Sequence, residues 1–244
     1  MKKIACTHPG KIGDALYALP AVREACKLHK ALADFYTSEY CRPIKKLLEY
    51  QSYIHRVYIP DYYKILRMDM GVQPWRIPVD VGEYDMTYHM GFRRVPDKAI
   101  PDFICESIGM SPSKVQYEYP DFITNNEPYI VVAPRGETSF KKLFIDFIEL
   151  CPLPCYIIGG ETDDIGSGID ITGMDFLETT TWIAKSKGFV GLQSSMLALA
   201  NGFDIPKVAV HDGVHWDMRH VIYSDTNFYP VNPSVREIMK LLGV

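Results

Sequence analysis

The chain has 244 residues, of which 47% are hydrophobic and 23% are charged, and its formal net charge is -4 at pH 7. This composition is typical of a soluble globular protein, and the length is enough for one large hydrophobic core or two smaller ones. A slightly acidic chain has no overall attraction to nucleic acid or to an anionic membrane, so neither is the expected partner.

The first half of the chain alternates apolar strands with amphipathic helices. The segment KKIACT is a predicted strand, and after a glycine loop DALYALPAVREACKLHK places Leu16, Leu19, Val22 and Cys26 on one helical face. Further strands are predicted at LADFYTS, IHRVYI and YDMTYHM, and further helices at RPIKKLLEY and PDFICESIGM. Strands that alternate with helices predict a parallel α/β sheet.

The alternation restarts after a segment rich in proline and asparagine, residues 112–128, which is the predicted linker. Strands are predicted at YIVVAP, CYIIGG, GIDITG, GFVGL and PKVAVHDG. Helices are predicted at KKLFIDFIEL, DFLETTTWIAKSK, SSMLALANG, with a C-cap glycine, and PSVREIMKLLGV. We therefore predict two α/β domains, residues 1–124 and 125–244, with the last helix a candidate for packing back on the first domain. Because open parallel sheets bind ligands at the carboxyl ends of their strands, the site is expected in a cleft between the domains.

The spacing of the cysteines and the length of the apolar runs bear on metal binding and on cellular location. The cysteines have no CxxC pair and no His-x-x-x-His partner, so we expect reduced core thiols and no metal. The N-terminus lacks the long apolar region of a signal peptide, and no run reaches the roughly 18 apolar residues of a membrane span. We expect a cytoplasmic protein that is at most peripheral to a membrane. The six cysteines are Cys6, Cys26, Cys41, Cys105, Cys151 and Cys155.

The glycine loop HPGKIGD joins the first predicted strand to the first helix. Lys11 is followed by Ile12 rather than Ser or Thr, and the glycine spacing is not Gly-x-Gly-x-x-Gly, so neither ATP hydrolysis nor NAD binding is indicated. Gly10 and Gly13 are instead expected to let the backbone pass close to another group. Asp14 stands at the helix start, where it is either a helix cap or a functional acid, and spacing alone favours the cap.

Two loops in the second half are better candidates for binding an anion. In GLQSSMLALANG a helix begins near Ser194 directly after a strand, so backbone N–H groups fit a diphosphate there, although Ser194 is equally an ordinary N-cap. The segment APRGETSFKK gathers donors that would neutralise a leaving phosphate without a metal, or else it is a solvated basic turn. These donors are Arg135, Thr138, Ser139, Lys141 and Lys142.

Four ordered motifs resemble the heptosyltransferase-like glycosyltransferases of family nine, which have the GT-B fold. They are GKIGDALYALPAVR, VVAPRGETSFKK, YIIGGETDD and IDITGMDFLETTTWIAKSKGFVGLQSSMLALANGFDIPKVAVHDG. The resemblance covers most of the chain and implies two Rossmann-like parallel α/β/α domains facing across a cleft. It further implies an inverting, metal-independent transferase without a cofactor. Its C-terminal domain would bind a nucleotide-diphospho-sugar, and its N-terminal domain would bind the acceptor, a glycan or another hydroxyl-bearing molecule.

The resemblance also implies roles for individual residues. Asp14 matches the acid that takes the proton from the acceptor hydroxyl. Either Lys141 or Lys142 matches a lysine that contacts phosphate, and Met174 and Glu178 would lie near the nucleoside. The full predicted donor set is Arg135, Thr138, Ser139, Lys141, Lys142, Gly160, Met174, Glu178, Gln193, Ser194 and Ser195.

The sequence departs from the family pattern in one block. Where that pattern reads Asp-Ser-Gly-x-x-His, this chain has Gln193, Ser194, Ser195 and then Ala198, so an acid, a glycine and a histidine are changed. The missing histidine argues against carrying over ADP-heptose as the donor. The chain is also short for the family, which indicates a trimmed variant.

Candidates for acceptor binding cluster in the first half. The tyrosines of YQSYIHRVYIPDYYKI would stack on sugar rings, or else pack in the core or between domains. An arginine pair would grip a glycan bearing phosphate or carboxylate, or else lie in a solvated loop. The predicted acceptor set is His8, Lys11, Gly13, His89, Arg93 and Arg94.

Two other functions fit the same motifs. One is an enzyme resembling nucleotide-sugar epimerases, and the other is a nucleotide- or glycan-binding protein that has lost catalysis. The altered serine block supports the second.

His211 and Asp212 end a predicted strand and would either approach the nucleotide or form a plain turn.

Overall fold

The computed structural model comprises two compact units, Met1–Tyr119 and Pro120–Val244. Each unit is built on its own parallel sheet. The structure describes residues 2–60, 77, 79–92, 98–124, 127–134, 140–160, 163 and 165–244.

The first unit contains a four-stranded sheet in the order β3-β2-β1-β4, with every neighbouring pair parallel. Its helix α1 buries the predicted apolar face, since Leu16, Leu19, Val22 and Cys26 are all buried. The helix ends at a left-handed residue, Lys30, with φ 50°. The elements are β1 Ile4–His8, α1 Ile12–His29, β2 Ala33–Thr37, α2 Lys45–Tyr50, β3 Ile54–Tyr58, β4 Met86–His89 and α3 Ile100–Ser107.

The second unit contains a six-stranded sheet in the order β10-β9-β8-β5-β6-β7, again parallel at every pair. Its core includes Phe144 and Phe147 of α4 together with Ile238 and Leu242 of α7. The last helix therefore packs within the second unit. The elements are β5 Ile130–Ala133, α4 Lys141–Leu150, β6 Cys155–Ile157, β7 Ile169–Asp170, α5 Phe176–Lys185, β8 Gly188–Gly191, α6 Ser195–Ala200, β9 Lys207–Ala209, β10 Asn227–Phe228 and α7 Val235–Leu242.

The strand orders define where each sheet leaves a crevice. In the first unit β1 has β2 on one side and β4 on the other, and in the second unit β5 lies between β8 and β6. At such a switch point the connections leave in opposite directions and open a space at the carboxyl ends of the two strands. The carboxyl ends of β1 and β4, and those of β5 and β8, are thereby placed for ligand binding.

Two local expectations were wrong, and one strand was missed. The segment around Pro43 forms a 3-10 helix, Glu39–Ile44, before α2 begins. Helix α6 ends at Ala200 with Asn201 in right-handed conformation, and the left-handed C-cap glycine is found at Gly243 of α7, with φ 74°. The short polar strand β10 was not predicted, because a two-residue edge strand carries no alternation of its own.

The division between the units falls inside the predicted linker, and each described part of it contacts the unit to which it belongs. Val115 and Tyr117 are buried, and the backbone N–H of Glu118 donates to Gln51 Oε1 at 2.9 Å. On the other side of the division, the Thr181 hydroxyl donates to the Pro120 carbonyl at 2.9 Å. This segment is therefore extended chain held by specific contacts.

Candidate functional site

The loop after β1, at the switch point of the first sheet, is held by hydrogen bonds to its own backbone. The Gly10 N–H donates to His8 Nδ1 at 3.0 Å, and the Ser38 hydroxyl donates to the Gly10 carbonyl at 2.7 Å. The Lys11 N–H donates to Asp14 Oδ2 at 3.1 Å. The loop is thereby tied to the start of α1 and to the residue that follows β2.

Asp14 is half-buried in the first turn of α1. Its bond from the Lys11 N–H is a helix-capping contact, in which a carboxylate satisfies a backbone donor that has no partner in the helix. No described residue donates to the other carboxylate oxygen, Oδ1. Asp14 therefore caps the helix through one oxygen and offers a second for chemistry.

His8 is buried beside Asp14. Since its Nδ1 accepts the Gly10 N–H, the neutral ring must carry its proton on Nε2, which has no partner among the described residues. The ring meets Phe92 edge-on at 5.8 Å between centroids. Burial lowers the pKa of His8, and the negative charge of Asp14 opposes that shift in part.

Gly10 explains how His8 and Asp14 come together. A Cβ on Gly10 would lie 2.5 Å from His8 Cε1 and 2.8 Å from Asp14 Oδ2, distances that real Cβ atoms do not show. The imidazole and the carboxylate therefore converge on one point, where only glycine fits. The close approach predicted at this glycine is made by the chain's own side chains.

The other predicted acceptor residues have varied surroundings. His89 ends β4, next to β1, and its Nδ1 lies 2.9 Å from the Thr7 hydroxyl. Lys11 is exposed, and Gly13 lies half-exposed in the first turn of α1. Arg93 and Arg94 lie outside the described residues.

A cavity of about 370 Å³ lies at the switch point of the second sheet. Its walls come from residues that follow three strands: Phe140 after β5, Gln193 after β8, and the segment 210–216 after β9. Gln193 is held in place because its Oε1 accepts the Asp217 N–H at 3.2 Å. Of the predicted donor residues that the structure describes, Gln193 is the one that lines this cavity.

The predicted serines lie at the start of α6. Ser194 Oγ accepts the Met196 N–H at 3.2 Å, which is the N-cap alternative, and Ser195 is the first residue of the helix. Ala198, where the family pattern has histidine, is fully buried. Helix α6 therefore has no charged or titratable side chain where the family pattern has histidine.

A second pocket, of about 360 Å³, brings Met174 and Glu178 together at the start of α5. Trp182 and residues 122–124 complete its walls. The helix begins at Asp175, whose side chain accepts the N–H groups of Leu177 and Glu178. An acid, a tryptophan and a methionine in one pocket suit a nucleoside, because aromatic and thioether groups contact a base while a carboxylate accepts ribose hydroxyls.

The remaining predicted donor residues are spread along the first half of the second unit. Lys142 Nζ pairs with Asp146 at 3.0 Å, whereas exposed Lys141 forms no hydrogen bond or ion pair with any described residue. The Gly160 N–H donates to Asp163 Oδ2 at 2.7 Å. Arg135, Thr138 and Ser139 lie outside the part of the chain that the structure describes.

Both units contain cavity-lining residues that were not predicted from the sequence. His215 and Trp216 line the cavity at the second switch point, and their signal in the sequence was the run HDGVHW directly after a strand. In the first unit, Asp34 Oδ2 accepts the Tyr84 hydroxyl at 2.9 Å, beside a cavity of about 480 Å³. No periodic pattern marks that cluster.

The described residues also bear on metal binding and on membrane insertion. Within them, no group of three or more His, Cys, Asp or Glu side chains is placed to hold a metal ion. None of their helices combines the length and the apolar character needed to cross a bilayer. All six cysteines have free thiols, and five of them are buried.

The fold is shared with solved glycosyltransferase structures. No protein-family model matches the sequence, and no curated protein matches it either. The E. coli heptosyltransferase WaaC with ADP has a TM-score of 0.69 and 11% identity over 99% of both chains. The glycosyl transferase family 9 protein from Veillonella parvula has a TM-score of 0.68 and 14% identity over 99% of this chain and 89% of its own.

A third structure is longer than this chain. The iron-containing dodecameric glycosyltransferase TibC from enterotoxigenic E. coli has a TM-score of 0.66 and 16% identity over 95% of this chain. The chain spans 63% of the length of TibC. At such low identities the likeness is one of fold. The structure has an α/β GT-B-like fold, and the heptosyltransferase-like resemblance of the motifs is confirmed at that level.

Proposed function

We propose that the protein is an inverting, metal-independent glycosyltransferase that moves a sugar from a nucleotide-diphospho-sugar to an acceptor hydroxyl on a glycan. The observation that carries the proposal is the convergence of Asp14 and His8 on Gly10, at the switch point of the first sheet. A half-exposed carboxylate held at a crevice is the arrangement that a general base for an alcohol requires.

Asp14 is the proposed base. The Lys11 N–H fixes Oδ2, so the carboxylate keeps one orientation while Oδ1 receives the proton of the acceptor hydroxyl. Neutral His8 does not compete for that proton, because its accepting nitrogen, Nδ1, is bound to the Gly10 N–H. The acceptor would lie along the loops after β1 and β4, near Lys11, Gly13 and His89.

The donor belongs to the second unit in this proposal. The nucleoside would occupy the pocket of Met174, Glu178 and Trp182, and the diphosphate would lie at the carboxyl ends of β5 and β8. Lys141 would contact phosphate, since Lys142 is paired with Asp146. The ADP in the WaaC structure supports a nucleotide ligand for this fold.

The proposal includes a cytoplasmic location. Reduced cysteines persist in the cytoplasm, whereas oxidising compartments favour disulfides. The six free thiols of this chain support that location.

The first experiment identifies the nucleotide. A thermal-shift screen with ADP, UDP, GDP and their sugars should raise the midpoint of unfolding for the true ligand, because a ligand of the folded state stabilises it by mass action. The best donor is then used in an assay that measures nucleoside diphosphate release with a panel of glycan acceptors.

The Asp14→Asn variant tests the mechanism. We expect turnover to fall by about 10² to 10⁴, the usual contribution of a general base, while nucleotide affinity is unchanged. Asparagine keeps an oxygen for the Lys11 N–H, so stability should be preserved. The matched control is Asp85→Asn, because Asp85 also accepts a backbone N–H, from Lys3 at 2.7 Å. Full turnover by Asp14→Asn would rule out the proposed base, and a wild-type protein that binds nucleotide without turnover would favour the binding-protein alternative.

A further inference from the structure

The segment that follows β9, residues 210–217, contains a histidine oriented by an acid. Asp212 Oδ2 lies 2.6 Å from His215 Nδ1, and Asp212 Oδ1 accepts the N–H groups of Val214 and His215, both at 2.9 Å. The hydrogen bonds from the backbone and side chain of His215 lower the pKa of Asp212 to about 2. A carboxylate that accepts the Nδ1–H of a histidine fixes the ring and directs its other nitrogen, Nε2, away from the acid.

The next residue, Trp216, is held by packing against two other rings. Its ring stacks on His211 at 4.5 Å between centroids and meets Tyr229 at 5.5 Å. His211 is itself held, because its Nε2 lies 3.0 Å from the Tyr229 carbonyl and its Nδ1 accepts the Gly213 N–H at 3.2 Å. The indole therefore has one orientation.

The indole N–H of Trp216 is buried and has no acceptor among the described residues. Buried polar groups in folded proteins are almost always hydrogen-bonded, so a buried donor without a partner beside a cavity points to a ligand that supplies an acceptor. Trp216, His215 and Gln193 all line the cavity of about 370 Å³ at the second switch point.

The groups on the cavity wall are mainly donors. Trp216 has an N–H and no acceptor, and the Oε1 of Gln193 is engaged by the Asp217 N–H, which leaves its amide N–H groups as its contribution. The acid on the wall, Asp212, already accepts three N–H groups. A ligand with several acceptor oxygens fits this set.

We propose that the segment after β9 is a phosphate-binding element, in which the His215 imidazole, held by Asp212, and the Trp216 indole N–H donate to phosphate oxygens. The inference rests on the proposed function in taking that phosphate to belong to the diphosphate of the donor. Helix α6 supplies no such donor from Ala198, which is apolar and fully buried, so the imidazole of His215 would be an additional donor to the phosphate. His215 and Trp216 thereby assist the departure of the leaving diphosphate.

The test uses inorganic pyrophosphate, which binds without regard to the base or the sugar. In calorimetric titrations of the full chain, His215→Gln should weaken pyrophosphate binding about tenfold, as expected for loss of a charge-assisted hydrogen bond. Trp216→Phe keeps the stacked ring and removes the N–H, so it should weaken binding about fivefold. The matched control is His55→Gln, because His55 also pairs with an acid, Asp34, at 2.9 Å, in the first unit.

A second measurement reads the indole directly in the wild-type chain, and it uses a variant only to assign the signal. The chain has three tryptophans, so three indole N–H signals are expected by NMR, and their loss pattern in Trp216→Phe assigns the relevant one. We expect that signal to move on addition of pyrophosphate.

The outcomes separate this inference from the proposed function. Unchanged affinity in both variants, an unmoved indole signal, or no pyrophosphate binding by the wild-type chain would overturn the phosphate site. Weakened binding in both variants with an unchanged control would support it, even if no sugar transfer were found, and that last result would count against the transferase alone.

Discussion

At the scale of single residues, Gly10 is the position on which the first candidate site depends. Its missing side chain makes room for the His8 ring and the Asp14 carboxylate together, and its two backbone polar groups hold His8 and Ser38. A catalytic carboxylate needs such support, since small displacements of a reacting group are costly to rate.

The Gly10→Ala variant should therefore lose both stability and turnover. The added Cβ would meet Asp14 Cβ at 2.6 Å, so the start of α1 must shift, at a cost of about 1–3 kcal/mol in the free energy of unfolding. Urea unfolding measures that cost. The control is Gly109→Ala, where φ is +77° and no atom lies within 4 Å of the new Cβ, so strain acts without a clash. Wild-type activity in Gly10→Ala would contradict the convergence of His8 and Asp14.

His8 should also make stability depend on pH. Burial lowers the pKa of His8 in the folded state below the usual histidine value of 6.5, so as pH falls below about 6.5 the unfolded chain takes up the proton first. The free energy of unfolding is therefore highest above about pH 6.5. It decreases as the pH falls below that value, by at most about 1.4 kcal/mol per pH unit. Urea unfolding between pH 7.5 and 5.5 should show a smaller loss for His8→Asn, which keeps an acceptor for the Gly10 N–H. Equal losses in the variant and the wild type would show that His8 does not titrate this way.

Among the helices and strands, the sequence predicts best those whose conformation is set by residues close to them along the chain. The apolar period of KKLFIDFIEL predicted α4, and the structure places the helix at Lys141–Leu150. The end of α6 and the edge strand β10 were missed, because packing rather than local preference decides them. The 3-10 helix at Pro43 is an intermediate case, since proline favours a first helical turn without specifying its hydrogen bonds.

Helix α5 links local capping to the nucleoside pocket. Asp175→Ala removes an acceptor that both Leu177 and Glu178 N–H groups use, at 2.9 and 3.0 Å, and should cost about 1 kcal/mol of stability. Because the same turn carries Glu178, we expect nucleotide affinity to fall as well, measured by calorimetric titration.

The α7 cap provides the matched control for that experiment. Ser234→Ala removes the bond from the Glu237 N–H, at 3.3 Å, and should lower stability by a similar amount without changing nucleotide affinity. If Asp175→Ala and Ser234→Ala bound nucleotide with equal affinity, the cap of α5 would have no effect on the proposed nucleoside pocket.

At the scale of the whole molecule, each unit has its own parallel sheet and its own core. Residues 120–123 belong to the second unit through two side chains of α5. Thr181 donates to the Pro120 carbonyl at 2.9 Å, and Lys185 Nζ bonds the Ile123 carbonyl and pairs with Asp121. A boundary placed after residue 124 would cut these contacts.

Two fragments test that boundary. Residues 120–244 should unfold cooperatively on their own, whereas residues 125–244 should be less stable by about 1–3 kcal/mol. The shorter fragment lacks the Pro120 carbonyl that Thr181 bonds, and it lacks the Ile123 carbonyl and the Asp121 carboxylate that Lys185 contacts. Urea unfolding followed by circular dichroism gives both values. Equal stabilities would show that residues 120–124 do not contribute to the stability of the second unit.

Local sequence patterns are enough to predict the class of the fold, the order of most strands and helices, and the loops that carry the candidate residues. These follow from periodicity and from glycine, proline and capping residues, whose effects act over a few positions along the chain. The folded arrangement was needed to show that Gly10 makes room for His8 and Asp14, and that residues 122–124 meet Met174 and Glu178 in one pocket. It alone showed that Trp216 is packed between His211 and Tyr229 with its N–H buried. Such contacts join residues distant in sequence or depend on three-dimensional packing, and a local pattern carries no record of them.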